Sequence, residues 1–128
     1  KGTGFAFWKA EENFGVNGLV LAAIAFLESA GGGSRIAKDK NNLFGLGAYD
    51  FNPYKCALSF EDYADSIFFA ASILKRDYLS REGRYFNGDD VKAIGKNYAT
   101  DPKWADKVYR SMRLIVESIF KPEELLAW

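Results

Sequence analysis

The sequence predicts an α+β fold that is mostly α-helical, with a buried central helix and one small β lobe. Residues 19–27 are nine consecutive apolar side chains, too few to cross a bilayer, and therefore indicate a helix surrounded by protein. Apolar side chains also recur at helical spacing along residues 60–74 and 104–119. Residues 43–58, with two glycines and a proline among short apolar runs, instead favour extended segments, so all β structure is expected there.

The first two helices follow from aromatic spacing and from signals at their ends. Aromatic residues between positions 5 and 14 predict an opening amphipathic helix of about two turns, which Gly15 ends. Asn17 is predicted to cap the buried helix. The glycines at 31–33 must end that helix, because glycine accepts the left-handed backbone that closes a helix.

Short polar side chains before apolar periodicity predict where the later helices begin. These capping residues are Ser34, the Ser59-x-x-Asp62 pair, Asp89 and Asp101, the last followed by Pro102. They predict a short turn after residue 34, a helix of about four turns after residue 59, and two further helices, the last ended by Pro122.

Composition restricts the classes of function. The 128 residues suit one compact domain, residues 1–128. Lys+Arg and Asp+Glu both number 17, so no net field attracts nucleic acid or an anionic membrane. Because the chain has no His, a Cys/His zinc site and a Ser-His-Asp triad are excluded, and we expect neither a metal nor a cofactor. The single Cys56 is expected to be a small buried hydrophobe.

Glu28 directly follows the buried helix. The partial negative charge of a helix C-terminus and an apolar surrounding both disfavour an anion, so the pKa of Glu28 should be raised. A carboxyl group kept partly protonated near neutral pH can donate a proton to a leaving group. The alternative is that Glu28 is merely the first polar residue after a core helix and faces solvent.

Four motifs stand out along the chain: Glu28-Ser29, Lys40-Asn41-Asn42-Leu43-Phe44-Gly45, Gly47-Ala48-Tyr49-Asp50, and Tyr98-Ala99-Thr100-Asp101-Pro102 with Trp104. Together they resemble the bacterial endo-β-N-acetylglucosaminidase domains of autolysins, the glycoside hydrolase family 73 type. The resemblance runs in family order from about Asn17 to Met112. One position departs from the pattern, since Gly31 stands where family members often have Trp, and this affects the expected wall beside the acid.

The resemblance implies a lysozyme-like fold and cleavage of the β-1,4 bond after N-acetylglucosamine in peptidoglycan. By matching position it implies that Glu28 is the general acid, that Tyr98 lies beside the scissile sugar, and that the Asn42-to-Asp50 segment lines the groove. The substrate-binding residues expected on this basis or as rings that stack on sugars are Asn42, Phe44, Gly45, Tyr49 and Tyr85. We also expect a monomer that acts outside the cell, at the wall.

The group that assists Glu28 has two possible identities. Asp50 is the leading carboxylate, because a lysozyme-like fold would place the turn of its β lobe across the groove. Glu61 and Asp62 are rivals, although helix N-terminal charge explains both. Alternatively, the substrate's 2-acetamido group attacks the anomeric carbon and Tyr98 orients it, as in substrate-assisted glycosidases. Asp101 is assigned to capping the last helix.

Three functions remain open on the sequence alone. A glucosaminidase is the leading one. A lytic transglycosylase or muramidase would share the single-Glu site and differ in the bond cut or the end formed. A wall-binding module without catalysis is conceivable because of Gly31, but the presence of both Glu28 and Tyr98 counts against it.

Overall fold

The computed structural model describes residues 3–48 and 52–120, except the side chain of Phe120. In these ranges the chain forms seven α-helices and one π-helical segment, which confirms the mostly helical prediction. Their bounds are Thr3–Phe14 (α1), Gly18–Glu28 (α2), Arg35–Lys40 (α3), Pro53–Cys56 (α4), Tyr63–Ile73 (α5), Leu74–Leu79 (π-helical), Val91–Tyr98 (α6) and Trp104–Phe120 (α7). Among the described helices, none combines the length and apolar character needed to cross a membrane.

Helix α2 lies at the centre of the core, as its apolar run predicts. The side chain of Asn17 accepts a hydrogen bond from the backbone N–H of Val20 at 2.9 Å, so the predicted cap is confirmed. Leu21 and Ile24 have no exposed surface. Helices α1, α5 and α7 pack against α2, and this packing holds the C-terminal end of α2 in one position.

The predicted strands at residues 43–58 are absent from the described part of that interval. Residues 43–47 form turns and residues 53–56 form α4. One backbone hydrogen bond crosses the loop, from the N–H of Leu58 to the carbonyl of Leu46 at 2.9 Å. The small β lobe is therefore not confirmed, and Tyr49 and Asp50 lie outside the described residues.

Side chains take the place of a strand ladder in this loop. The Oδ1 atom of Asn42 accepts from the N–H groups of Phe44 at 3.2 Å and Leu46 at 3.0 Å. Its Nδ2 atom donates to the carbonyls of Leu46 at 2.9 Å and Leu58 at 3.0 Å. Because one amide satisfies four backbone groups, the loop does not need to pair as strands.

The end of α3 holds the other side of the same loop. The ammonium group of Lys40 donates to the carbonyls of Tyr54 and Ala57. Asn41 adopts a left-handed backbone with φ of 53° and donates to the carbonyl of Phe60 at 3.0 Å. Two adjacent polar side chains thus attach the loop to α3 across about fifteen to twenty residues of sequence.

Three local predictions were wrong. The helix predicted to begin after Ser59 begins at Tyr63, because Asp62 is its cap. Cys56 is exposed rather than buried, because it ends a four-residue helix on the loop surface. Asp90, not Asp89, caps α6, with its carboxylate accepting from the N–H of Ala93 at 2.8 Å. The sequence has two consecutive aspartates before the first apolar residue of this helix, and the apolar spacing does not show which of them is the cap.

Gly83 allows the segment after the π-helical turn to lie directly against it. A Cβ at Gly83 would be 2.5 Å from the carbonyl oxygen of Asp77 and 2.7 Å from that of Arg76. This contact lies beside the hydrogen bond from the N–H of Tyr85 to the carbonyl of Asp77 at 2.8 Å. The close approach therefore places Tyr85 next to the aromatic residues described below.

We expect Gly83→Ala to lower the free energy of unfolding by about 2 kcal/mol, because backbone atoms cannot move aside as a flexible side chain does. Urea unfolding followed by circular dichroism measures this loss. Gly4→Ala is the matched control, since a Cβ there meets nothing within 4 Å. Equal stability of the two variants would show that the segment does not lie this close to residues 76 and 77.

Candidate active site

Glu28 is the last residue of α2 and is partly buried. Burial raises the pKa of its carboxyl above the usual range, and this is the largest effect. The indole N–H of Trp104 donates to the Oε2 atom of Glu28 at 2.9 Å and acts on that pKa in the opposite direction. The net pKa stays raised, which is the direction expected for the carboxyl at the end of the buried helix.

Ser29 ends α2 immediately after the carboxyl. Its hydroxyl donates to the carbonyl of Ala25 at 2.6 Å and accepts from the N–H of Gly32 at 2.8 Å. Its carbonyl accepts from the N–H of Ser34 at 2.9 Å, and the residue has no exposed surface. Ser29 thus fixes both the end of the helix and the turn that leads the chain away from it.

The turn itself uses left-handed backbone at three successive residues. Ala30, Gly31 and Gly32 have φ of 53°, 69° and 85°. A Cβ at Gly31 would lie 3.5 Å from the ring of Phe26. A large residue at position 31 would have to adopt a strained backbone here, so Gly31 suits this turn although the resembling family often has Trp.

Trp104 is buried, with 4% of its surface exposed, and it is the first residue of α7. Asp101 positions this helix start, because its carboxylate accepts from the N–H of Lys103 at 2.9 Å and its carbonyl accepts from the N–H of Trp104 at 3.1 Å. The ammonium of Lys107 lies 2.6 Å from the same carboxylate, and this hydrogen bond holds the pKa of Asp101 below its usual range. Asp101 therefore serves the helix start, as the sequence indicated.

Tyr98 ends α6 and packs against Trp104, with ring centroids 5.0 Å apart. On its other side the ring of Tyr78 lies 5.6 Å away in an edge contact. Burial, then the charge of Glu28, raises the pKa of Tyr98 well above its usual range. The phenol therefore stays protonated and can donate a hydrogen bond near Glu28.

Glu28, Tyr98, Asp101 and Trp104 line one cleft of about 440 Å³. Its walls are Leu27 and Glu28 from α2, residues 98–101, Trp104 and Lys107. A neighbouring cleft of about 500 Å³ shares Trp104 and residues 99–101. Volumes of this size are typical of small-molecule sites. Within the described ranges, no group of three or more His, Cys, Asp or Glu side chains could hold a metal ion.

The other predicted substrate-binding residues that the structure describes do not line the cleft at Glu28. Asn42 is 1% exposed and Phe44 4% exposed, and neither residue lines that cleft. Gly45 is partly exposed in the same loop. Tyr85 is exposed and stacks on Tyr78 at 5.2 Å, in a row of rings that continues to Tyr98.

The two rival carboxylates at the start of α5 have other surroundings. Asp62 caps α5, with its Oδ1 atom accepting from the N–H of Asp65 at 2.9 Å. Glu61 is exposed next to it, and its carbonyl accepts from the side chain of Asn41. Neither residue lines the cleft at Glu28, which agrees with their interpretation as helix N-terminal charges.

Sequence reasoning missed the role of Trp104. Its spacing places it on the apolar face of the last helix, and burial agrees with that placement. The hydrogen bond to Glu28 joins residues 76 positions apart. Its position at the end of the Tyr98-to-Pro102 motif was the one available signal.

Comparisons with known proteins give matches over most of the chain. The family model described as "Glucosaminidase: Mannosyl-glycoprotein endo-beta-N-acetylglucosaminidase" matches residues 4–115. Two curated relatives from Streptococcus pneumoniae, strains TIGR4 and R6, are both named "Putative endo-beta-N-acetylglucosaminidase". Each is 42% identical over 116 residues, which is 91% of this chain. The match covers 18% of the first relative and 16% of the second, so the chain spans less than a fifth of their length.

Proposed function

The chain belongs to the glucosaminidase family, and on that premise we propose that residues 1–128 form one lysozyme-like catalytic domain that hydrolyses peptidoglycan. The bond cut is the β-1,4 linkage after N-acetylglucosamine. The domain acts as a monomer outside the cell, at the wall. The observation that carries the proposal is a partly buried carboxyl with a raised pKa on the wall of a cleft.

Glu28 is the general acid in this proposal. Cleavage of a glycosidic bond needs a protonated carboxyl at the leaving oxygen, because an alkoxide is a poor leaving group. Burial favours the protonated form of Glu28, and the cleft gives a sugar access to it. Two other cleft groups, a phenol that stays protonated and a buried indole, suit an uncharged sugar, and the charged cleft residues Asp101 and Lys107 are paired with each other.

The 2-acetamido group of the substrate acts as the nucleophile, and Tyr98 orients it. Tyr98 lines the same cleft as Glu28 and stays protonated, so it has a hydrogen to donate to the acetamido group. Attack of the acetamido oxygen on the anomeric carbon breaks the glycosidic bond, while Glu28 gives its proton to the leaving oxygen. Water then attacks the anomeric carbon and breaks its bond to the acetamido oxygen, while the Glu28 carboxylate takes the proton that the water loses.

Two variants distinguish this route from water activation by Asp50. Tyr98→Phe is expected to lower kcat about tenfold, the value of one well-placed hydrogen bond. Asp50→Asn is expected to change kcat by less than about threefold, a difference well under 1 kcal/mol. Release of reducing sugar from purified wall measures both rates. Tyr109→Phe, exposed on α7, is the matched control and should match wild type.

The opposite result would identify Asp50, rather than the substrate's acetamido group, as the group that assists Glu28. An amide cannot accept a proton from water, so a severe defect in Asp50→Asn with a mild one in Tyr98→Phe would identify a general base. A thiazoline analogue of N-acetylglucosamine provides an independent measurement, because it mimics the cyclised intermediate. Inhibition supports the acetamido route, and lack of inhibition counts against it.

Product chemistry tests the proposed function itself. Purified sacculi are digested, reduced with borohydride and analysed by mass spectrometry, with Glu28→Gln digested in parallel. A glucosaminidase yields reduced N-acetylglucosamine ends, whereas a muramidase yields reduced N-acetylmuramic acid ends. A lytic transglycosylase yields 1,6-anhydro ends that resist reduction. Binding to sacculi without new ends would leave only a wall-binding module.

A further inference from the structure

We propose that Trp104 is a positioning residue that determines which oxygen of Glu28 carries the proton. The inference rests on the proposed role of Glu28 as general acid. The indole N–H of Trp104 donates to Oε2 of Glu28 at 2.9 Å. Among the described residues, this is the hydrogen bond that engages the carboxyl group. Trp104 thereby leaves Oε1 to hold the proton and present it to the leaving oxygen.

The assignment of the proton follows from the chemistry of the indole group. An indole nitrogen is a donor only and needs a lone pair on its partner. A proton on Oε2 would compete with the indole N–H for the lone pairs of that oxygen. An unprotonated Oε2 accepts the indole hydrogen bond without this competition. The protonated carboxyl is therefore most stable with its hydrogen on Oε1. A general acid works best when its proton already points at the reacting atom.

The indole is itself held from several sides. Tyr98 packs on it at a ring distance of 5.0 Å, and 4% of its surface is exposed. Gly95 of α6 lies against its other edge, where a Cβ would be 3.0 Å from the Cε3 atom. Glycine in a helix costs about 1 kcal/mol relative to alanine, so this position favours close packing over helix stability. The donor consequently has little freedom to leave Glu28.

Burial and the indole act on Glu28 in opposite directions. Burial raises the pKa of Glu28, and the hydrogen bond from Trp104 lowers it by stabilising the charged form. The other charged groups facing the cleft, Asp101 and Lys107, are paired with each other at 2.6 Å. On the helices that pack along α2, Glu11 of α1 binds the N–H of Gly18 at the far end, and Asp65 of α5 is exposed. The indole is thus the group positioned to limit the effect of burial.

Trp104→Phe tests the proposal because it keeps an aromatic ring and removes the N–H. The alkaline limb of the pH–kcat/KM profile is expected to move up by about one pH unit, since the charged carboxylate loses its donor. The plateau kcat is expected to fall about tenfold, because the acid is weaker and less well oriented. Trp8→Phe, 54% exposed on α1, is the matched control and should leave both unchanged. A folded Trp104→Phe enzyme with an unmoved alkaline limb would overturn the proposal, since a purely structural Trp changes rate or stability without moving the limb.

A second measurement needs neither activity nor a folded Trp104 variant. In the wild-type domain the indole N–H resonance of Trp104, assigned by Trp8→Phe and Trp128→Phe, is followed by NMR as pH changes. We expect one inflection at the pH where Glu28 titrates, and its disappearance in Glu28→Gln. An indole resonance without this inflection would refute the proposal. Because the spectrum reports the hydrogen bond directly, failure of the proposed reaction would be seen separately, as product ends of another kind.

Discussion

Glu28→Gln is expected to fold normally and to lose at least ~100-fold in wall-lytic rate, the size typical of losing a general acid. A glutamine side chain has nearly the shape of the carboxyl and can still accept the indole N–H of Trp104. It cannot give a proton to the leaving oxygen. The decrease in turbidity of a sacculus suspension measures the rate, and Glu12→Gln, exposed on α1, is the matched control.

The same variant has an expected effect on stability whose sign follows from the pKa. Burial raises the pKa of Glu28 in the folded protein above its ordinary value of 4.5. A carboxyl of this kind supports the fold fully below the unfolded pKa, and its contribution is lost as pH rises through the folded pKa. At neutral pH the Tm of Glu28→Gln should therefore equal or exceed that of wild type, and the difference should shrink below pH 4.5.

Two results would contradict this account of Glu28. Wild-type turnover by Glu28→Gln would remove Glu28 from catalysis. A neutral-pH Tm well below wild type would mean that the negative charge of Glu28 supports the fold. In that case the carboxylate would be a structural anion, and its burial would not favour the protonated form.

Asn42→Ala is expected to lower the free energy of unfolding by about 3 kcal/mol, because it removes an amide that satisfies four backbone groups. Asn42 is 1% exposed, so water cannot easily replace those bonds. In a domain of this size the loss corresponds to a decrease in Tm of roughly 10 °C. Thermal unfolding followed by circular dichroism provides the measurement.

Asn87→Ala is the control for Asn42→Ala. Asn87 is exposed and donates one long hydrogen bond, 3.4 Å, to the carbonyl of Tyr85. Its removal should change the free energy of unfolding by less than about 0.5 kcal/mol. A stable Asn42→Ala variant with a raised KM would instead support the sequence-based prediction that Asn42 contacts the sugar.

Sequence patterns alone determined the helical frame and the place of Glu28 within it. The apolar run of α2 and the cap at Asn17 depend on neighbours within a few positions along the chain, and Glu28 ends that helix. Periodicity and capping chemistry report such neighbours directly. For that reason the buried helix and the carboxyl at its end could be predicted before the fold was known.

The loop at residues 43–58 and the partner of Glu28 were decided by tertiary structure. Glycines and short apolar runs predicted strands in the loop, but Asn42 and Lys40 bind backbone groups four to seventeen positions away and replace strand pairing. Trp104 reaches Glu28 across 76 positions because α7 packs against α2. Hydrogen bonds between distant residues depend on how whole elements pack, and a local pattern does not contain that information.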